Sequence, residues 1–123
     1  MKEVFLVGAG GFAGSILRYL ASLGAQRVLT ESLLPYGTFA VNMTGCFVIG
    51  LLAGLADSRQ VLSPEARLVL MVGLLGGFTT YSTFGYDSLA IIKNTGFAAA
   101  ALYVGLHIVV GIAAVWLGHE ITA

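Results

Sequence analysis

Four long apolar stretches, each long enough to cross a lipid bilayer as a helix, dominate this sequence. They cover about residues 4–23, 37–56, 67–92 and 97–117. A membrane-spanning helix needs roughly 20 mostly apolar residues. With 58% hydrophobic and only 10% charged residues, a chain of 123 residues cannot hide its apolar surface from water; soluble domains carry about 25% charged residues. We therefore predict an all-α membrane protein with a single transmembrane domain over residues 1–123.

Composition excludes several classes of function. The net charge is zero and no basic patch is present, which argues against nucleic acid as a partner. The lone Cys46 excludes an intrachain disulfide and a thiolate metal cluster. Carboxylates are too few for acid–base pairs, and no phosphate-binding loop or HExxH-type metal motif occurs. We therefore expect neither an enzyme nor a protein with an organic cofactor.

Capping residues and glycines fit this arrangement of helices. Ser63-Pro64-Glu65 has the N-cap, the first-turn proline and the first-turn acid that are typical of a helix start. Three pairs of glycines have the small-x-x-x-small spacing that lets helix backbones approach closely. They are Gly10 and Gly14, Gly50 and Gly54, and Gly73 and Gly77. We expect these pairs to pack the helices of the bundle together.

Basic residues do not select an orientation in the membrane. They divide three against three between the two sides of the predicted bundle: Lys2, Arg59 and Arg67 against Arg18, Arg27 and Lys93. The positive-inside rule orients a membrane protein by an excess of Lys and Arg on the cytoplasmic side. Because no excess exists here, we predict a dual-topology protein that inserts both ways and pairs head to tail.

The third span contains an unusual run of polar residues near its midpoint. Five consecutive hydroxyl-bearing residues, 79–83, follow a glycine pair and lie between Phe78 and Phe84. Five such residues in a row would point to all sides of a helix, so the run favours a local break. Broken helices at the midplane persist only where they are buried in protein or line a cavity, and their freed backbone groups form ion sites. This run is the strongest functional signal in the chain.

Isolated polar residues in the second and fourth spans have two interpretations each. Thr38 and Asn42 lie one turn apart, and an amide in hydrocarbon is costly without a partner. Asn42 either bonds a neighbouring helix or donates its NH₂ group to a passing anion. In the fourth span, Tyr103 and His107 are again one turn apart. Each is either a structural residue or part of a conduction path.

Two charged residues lie within the spans. Arg18 is about a turn and a half from the end of its helix, so its side chain either snorkels to the interface or attracts anions into a vestibule. Asp87 is the only acid deep in a span. Lys93 is not at helical spacing from Asp87, so the role of this carboxylate stays open.

Three segments carry a resemblance to a known family. The run Gly76-Gly77-Phe78-Thr79-Thr80-Tyr81-Ser82-Thr83-Phe84 resembles the GG-x-TTFSTF signature of the Fluc (CrcB) fluoride-channel family. The segment Gly10-Gly11-Phe12-Ala13-Gly14-Ser15-Ile16-Leu17-Arg18-Tyr19 is similar to the first-helix motif of that family, and Gly37-Thr38 with Val41-Asn42 to its second-helix motif. Length, helix number and balanced charge agree, so the resemblance covers essentially the whole chain.

The resemblance implies an assembly and a metal ion. The assembly would be an antiparallel, dual-topology homodimer of four-helix subunits, each with a break in the third helix, in the plasma (inner) membrane of a prokaryote. It would be a passive fluoride-selective channel that exports cytoplasmic fluoride. One structural Na⁺ per dimer would lie at the centre, held by the backbone carbonyls of Gly76 and Thr79 of both subunits.

The resemblance also implies a fluoride pathway on each side of the dimer axis. Asn42 and the signature aromatics Tyr81 and Phe84 would contact the ion. A polar track formed by Ser82, Thr83 and Tyr103 would follow. From their positions in the spans we add Thr38 and His107 to the expected pathway and Arg18 to an expected vestibule. The sequence departs from the signature at Tyr81, where phenylalanine is usual. We expect conduction to survive this change and to differ in rate or inhibitor response.

Two other functions are alternatives. A small multidrug-resistance-type transporter is also a four-helix dual-topology dimer, but it needs a membrane-embedded carboxylate in its first helix. After Glu3 the first helix here carries only Arg18 as a charged residue. The second alternative is a non-conducting assembly subunit whose polar residues only join helices. Replacing Asn42 or Phe84 separates the cases, because a pore would lose flux and keep the dimer, whereas an assembly subunit would lose the dimer.

Overall fold

The computed structural model describes residues 1–28, 35–58 and 61–123, so Arg59 lies outside the described residues. Within these ranges the regular structure is entirely helical. The elements are α1 (Lys2–Val28), α2 (Tyr36–Ser58), α3 (Pro64–Arg67), a π-helical segment (Leu68–Leu75), α4 (Gly76–Phe78), α5 (Tyr81–Asn94) and α6 (Phe97–Thr122).

Four helical stretches of the described chain are long and apolar enough to span a membrane. They are Lys2–Ala25, Tyr36–Ser58, Pro64–Asn94 and Phe97–Thr122. This confirms the prediction of an all-helical chain with four such helices. The helices extend a few residues beyond the predicted apolar stretches, because helical hydrogen bonding continues into the polar ends.

The third stretch begins as its sequence predicts. The backbone N–H of Ala66 donates to Oγ of Ser63 at 3.1 Å, and Pro64 occupies the first turn of α3. The helix then widens into the π-helical segment Leu68–Leu75, which no sequence signal indicated. The stretch ends at Asn94, and Gly96, the one described glycine with a positive φ, of 122°, precedes α6.

Between α4 and α5 the backbone is extended. Thr79 has φ −82° and ψ 160°, and Thr80 has φ −150° and ψ 117°. Thr80 is the N-cap of α5, because its hydroxyl oxygen accepts the backbone N–H of Thr83 at 3.2 Å. The hydroxyl of a threonine N-cap satisfies one of the free donors in the first helical turn. Both extended residues belong to the hydroxyl run of the third span.

Glycines set the contact distances between helices. A Cβ atom at Gly14 of α1 would overlap the carbonyl oxygen of Leu74 in the π-helical segment. A Cβ atom at Gly50 of α2 would overlap the carbonyl oxygen of Val115 in α6. The predicted packing role of the small-x-x-x-small pairs is therefore confirmed at these two contacts. Close backbone approach supplies the van der Waals contact that holds membrane helices together.

The protein interior is small and the outer surface is apolar. Among the described hydrophobic side chains, the buried ones are Val41, Ala56, Leu75, Ile91, Ala100 and Tyr103. Large apolar side chains are exposed on every long helix, including Phe12 on α1 and Ile112 and Trp116 on α6. A surface of this kind is stable in a lipid environment, where apolar side chains need no burial against protein.

Alanine substitution at Gly14 tests the close approach. Gly14→Ala should destabilise the protein by about 1–3 kcal/mol, because the added methyl group forces α1 away from the π-helical segment. The matched control is Gly8→Ala on the same helix, where a Cβ atom meets nothing within 4 Å. Gly8→Ala should be neutral or stabilise the helix by up to about 1 kcal/mol. Thermal unfolding in detergent measures both, and equal stability of the two variants would contradict the packing argument.

Candidate functional site

The side chain of Asn42 binds the extended backbone of the third span. Its Oδ1 accepts the backbone N–H of Thr80 at 2.9 Å, and its Nδ2 donates to the carbonyl oxygen of Thr80 at 3.2 Å. One amide on α2 thus satisfies both backbone groups of one residue between α4 and α5. The helix-bonding interpretation of Asn42 is correct for these two bonds. The second hydrogen of Nδ2 is not used in either of them.

The hydroxyl run forms a local cluster at the start of α5. Oγ1 of Thr80 donates to Oγ1 of Thr83 at 3.0 Å and lies 3.3 Å from Oγ of Ser82. Ser82 and Thr83 are exposed in the isolated chain. These hydroxyls keep rotatable O–H groups at the helix N-terminus, where the helix dipole favours negative charge. The cluster can therefore offer hydrogen-bond donors to an anion.

Backbone carbonyls are the available metal ligands near this point. In a continuous helix, Thr80 would donate its N–H to the carbonyl of Gly76, but that N–H donates to Asn42 instead. The carbonyl of Gly76 therefore lacks its helical partner. Among the described residues, no group of three or more His, Cys, Asp or Glu side chains is arranged to hold a metal ion. A cation bound here would be held by main-chain oxygens, which suit a hard ion such as Na⁺.

Aromatic rings from three helices meet beside the hydroxyl cluster. The ring centroid of Phe84 lies 4.5 Å from that of His107 and 5.8 Å from that of Tyr103. Phe39 of α2 lies 4.9 Å from His107 in an edge-to-face arrangement. Tyr81 lies 5.6 Å from Phe84 and is 85% exposed. The structure thus brings together four predicted pathway residues and adds Phe39 to them.

Two polar atoms in this aromatic cluster have no hydrogen-bond partner within the described part of the chain. They are Oη of Tyr103 and Nε2 of His107, and both are buried. Nδ1 of His107 lies 3.1 Å from the carbonyl oxygen of Tyr103, so Nδ1 carries the hydrogen of this bond. Buried polar atoms of native proteins are nearly always satisfied by protein, water or a ligand. Water or an ion beside the cluster would supply the missing partners.

Asp87 has a partner that sequence spacing did not identify. The hydroxyl of Thr38 on α2 donates to Oδ2 of Asp87 on α5 at 2.6 Å. The bond places Thr38 at the same α2–α5 contact as Asn42, one turn away. Arg18 is half-buried on α1, and none of the hydrogen bonds or ion pairs found among the described residues involves it. Its vestibule role stays a prediction.

A surface groove joins the Asn42 contact to the aromatic cluster. Its volume is about 430 Å³. Seven of its lining residues belong to the features above: Asn42, Gly76, Thr79, Thr80, Tyr81, Phe84 and His107. Ser82, Thr83, Thr38 and Tyr103 are not part of this lining. The groove therefore contains Gly76, Thr79 and the first aromatics, while the remaining polar residues lie outside it.

Comparison with known proteins assigns the family. The family model described as "CrcB-like protein, Camphor Resistance (CrcB)" matches residues 5–119. The chain belongs to the CrcB-like family. The match includes all or most of each of the four membrane-spanning stretches, so the protein is a multi-pass integral membrane protein of this family.

Three relatives of similar length have the same name. A protein of Methylobacillus flagellatus, called "Fluoride-specific ion channel FluC", is 43% identical over 121 residues, which are 98% of this chain and 94% of the relative. A protein of Chlorobaculum tepidum with the same name is 46% identical over 96% of this chain and 92% of the relative. One from Flavobacterium psychrophilum is 36% identical over 96% and 94%. The resemblance identified from the sequence motifs is confirmed.

Sequence reasoning missed two contacts of this CrcB-like chain. One is the bond between Thr38 and Asp87, and the other is the edge contact of Phe39 with His107. A signal for the first existed. Thr38 and Asn42 share one face of α2, and Asp87 follows Thr80, the N-cap of α5, by about two turns. Phe39 carried no signal, since an aromatic residue in an apolar stretch is indistinguishable from a lipid-facing one.

Removal of the Thr38 hydroxyl tests its bond to Asp87. Thr38→Val should lower stability by about 1–3 kcal/mol, because it leaves a part-buried carboxylate without this donor. The matched control is Thr44→Val on the same helix, where the hydroxyl donates to the carbonyl oxygen of Ala40 within α2. Chemical unfolding in detergent should show a clear loss for Thr38→Val alone. A loss of stability of the same size in both variants would show that valine in α2 is the cause, rather than the missing bond to Asp87.

Proposed function

We propose that this protein is a passive fluoride-selective channel that exports cytoplasmic fluoride and protects the cell from it. The observation that carries the proposal is the extended backbone at Thr79 and Thr80, bound by Asn42 and adjoining an aromatic cluster within a membrane-spanning stretch. We infer that these two residues are the functional break of the third span. The name "Fluoride-specific ion channel FluC" of the full-length relatives supports fluoride as the ion. It also agrees with the prediction that the chain is not an enzyme.

The chemistry around the break suits a small, tightly hydrated anion. Fluoride leaves water only where other donors replace its hydration shell. The free N–H of Asn42 and the hydroxyls of Ser82 and Thr83 are donors, and the ring edges of Tyr81 and Phe84 carry positive potential. Thr38, Tyr103 and His107 would continue the pathway beyond the rings. Donors without a fixed charge bind the ion without trapping it.

A pore of this kind needs no coupled energy source. A negative-inside membrane potential drives an anion outward by about 2.3 kcal/mol per 100 mV. Fluoride enters a cell as the neutral acid and dissociates in the cytoplasm. A passive path is therefore sufficient to lower its concentration in a prokaryotic cell, across the inner membrane.

The pathway would be completed by a second copy of the chain in antiparallel orientation. Tyr81 is 85% exposed, and its hydroxyl needs a hydrogen-bond partner at membrane depth. The groove of about 430 Å³ beside it is open in the isolated subunit. A dual-topology partner would cover the groove, and the equal division of basic residues supports insertion in both orientations.

A structural Na⁺ would lie at the centre of this dimer. The carbonyl of Gly76, which lacks its helical donor, and the carbonyl of the extended Thr79 are the ligands that we propose. Both residues line the groove that the partner would cover. Unwound backbone carbonyls are the usual Na⁺ ligands of broken membrane helices. Bound there, the ion would neutralise the carbonyl dipoles where the subunits meet.

The first experiment is fluoride efflux from liposomes that contain the purified protein, read with a fluoride electrode. Chloride-loaded liposomes are the control for selectivity. Fast fluoride efflux without chloride efflux would support the channel. No efflux from a folded dimer would leave the transporter or the assembly subunit, and Tyr81→Phe, which restores the usual signature residue, would then be tested first.

Substitution of Phe84 tests the aromatic pathway. Phe84→Ile should abolish fluoride flux, because isoleucine keeps the apolar volume and loses the ring edge. The dimer should persist in size-exclusion chromatography. The control is Phe97→Ile at the start of α6, where the side chain is 76% exposed and outside the aromatic cluster. Normal efflux through folded Phe84→Ile would remove this ring from the pathway.

Labelling from one side of the membrane tests dual topology. A Glu3→Cys variant in a Cys46→Ser background carries one thiol near the N-terminus and leaves the division of basic residues unchanged. In intact spheroplasts, an impermeant maleimide should label about half of the molecules, because neither orientation is favoured. Complete labelling after addition of detergent is the control. Labelling of all molecules, or of none, before detergent would rule out the antiparallel dimer.

A further inference from the structure

We propose that Asn42 is a positioning residue for the central cation as well as a donor to the anion. Its amide diverts the N–H of Thr80 from the helix and so keeps the carbonyl of Gly76 available as a metal ligand. This inference rests on the proposed function, because it concerns the Na⁺ site of the same dimer. According to this inference, one side chain of α2 determines where helical hydrogen bonding stops in the third span.

Helical bonding in the third span stops at the residue that Asn42 engages. The backbone N–H of Thr79 still donates to the carbonyl of Leu75 at 2.9 Å. The hydroxyl of Thr79 donates to the same carbonyl, also at 2.9 Å. The next N–H, that of Thr80, would bond the carbonyl of Gly76 in a continuing helix. It bonds Oδ1 of Asn42 instead, so the first carbonyl without a helical donor is that of Gly76.

A carboxamide has the chemistry that this position requires. Thr80 has the extended conformation of a β-strand residue, whose N–H and C=O groups need an external acceptor and an external donor. The Asn42 amide supplies one of each, in the way that a neighbouring strand would. In hydrocarbon, backbone groups left without these partners are strongly destabilising, because no water replaces them. Without the amide, the cheapest partner for the Thr80 N–H is the carbonyl of Gly76, the proposed metal ligand.

One side chain would therefore serve two ions. Asn42, Gly76 and Thr79 line the same groove. Oδ1 of Asn42 holds the break open on the cation side, while the second hydrogen of Nδ2 is available to the anion. The two roles use different atoms, so substitutions can separate them. Asp at this position keeps the acceptor for the Thr80 N–H and lacks the NH₂ group, whereas Ala lacks both.

The test is the Na⁺ dependence of thermal unfolding of the full-length dimer in detergent without fluoride. NaCl replaces choline chloride at constant ionic strength, and the midpoint Na⁺ concentration for stabilisation is measured. For Asn42→Ala the midpoint should rise by about tenfold or more, the equivalent of losing one or two buried hydrogen bonds. Asn42→Asp should have a midpoint no higher than that of the wild type, because it keeps the acceptor and adds a negative charge near the cation, while its fluoride efflux falls. The matched control Thr44→Ala should change neither quantity.

Each outcome decides the inference. An unchanged Na⁺ midpoint in Asn42→Ala would overturn it and leave Asn42 as an anion ligand only. If Asn42→Ala does not fold, folded Asn42→Asp decides, because loss of its Na⁺ response would contradict the acceptor role. A wild-type protein that Na⁺ does not stabilise would overturn the inference together with the metal site. Fluoride efflux of that wild type would still test the channel separately.

Discussion

Backbone hydrogen bonding in hydrocarbon is the constraint on which the rest of this structure depends. A membrane-spanning segment can leave the helical pattern only where other protein groups satisfy its N–H and C=O groups. Here a single amide, that of Asn42, meets both backbone groups of Thr80. The hydroxyl of Thr80 then caps the helix that follows. The extended backbone of Thr80 is thus stabilised by α2 on one side and by its own cap on the other.

The scaffold supports this polar region without a large core. Few side chains of the described chain are buried, and close backbone contacts at Gly14 and Gly50 hold the long helices together. Glycine contacts leave the side chains of α2, α5 and α6 free to meet at another level of the bundle. There Phe39, Phe84 and His107 form the aromatic cluster. Helix packing and the polar site therefore use different residues of the same helices.

The proposed channel and the proposed Na⁺ site share this arrangement. Donors without a formal charge, namely an amide N–H, hydroxyls and ring edges, replace the hydration of an anion. The carbonyls released by the extended backbone suit a cation. Oη of Tyr103 and Nε2 of His107 have no hydrogen-bond partner among the described residues, and they mark further points where water or an ion would be accommodated. The proposed anion and cation sites would then both be formed at the same extended segment of the third span.

The sequence by itself determined that the chain lies in lipid, that its fold is all-helical and which family it belongs to. Long apolar stretches require lipid, capping residues at Ser63 and Pro64 set the start of the third stretch, and the signature motifs identify the family. The run 79–83 indicated where helical bonding is weak. Local signals of this kind depend on neighbouring residues only, so they can be read without the fold. Only the tertiary structure showed that Asn42 bonds both backbone groups of Thr80 and that Thr38 is the partner of Asp87. These features depend on contacts between helices distant in sequence, and spacing along one helix cannot specify what the neighbouring helix places opposite it.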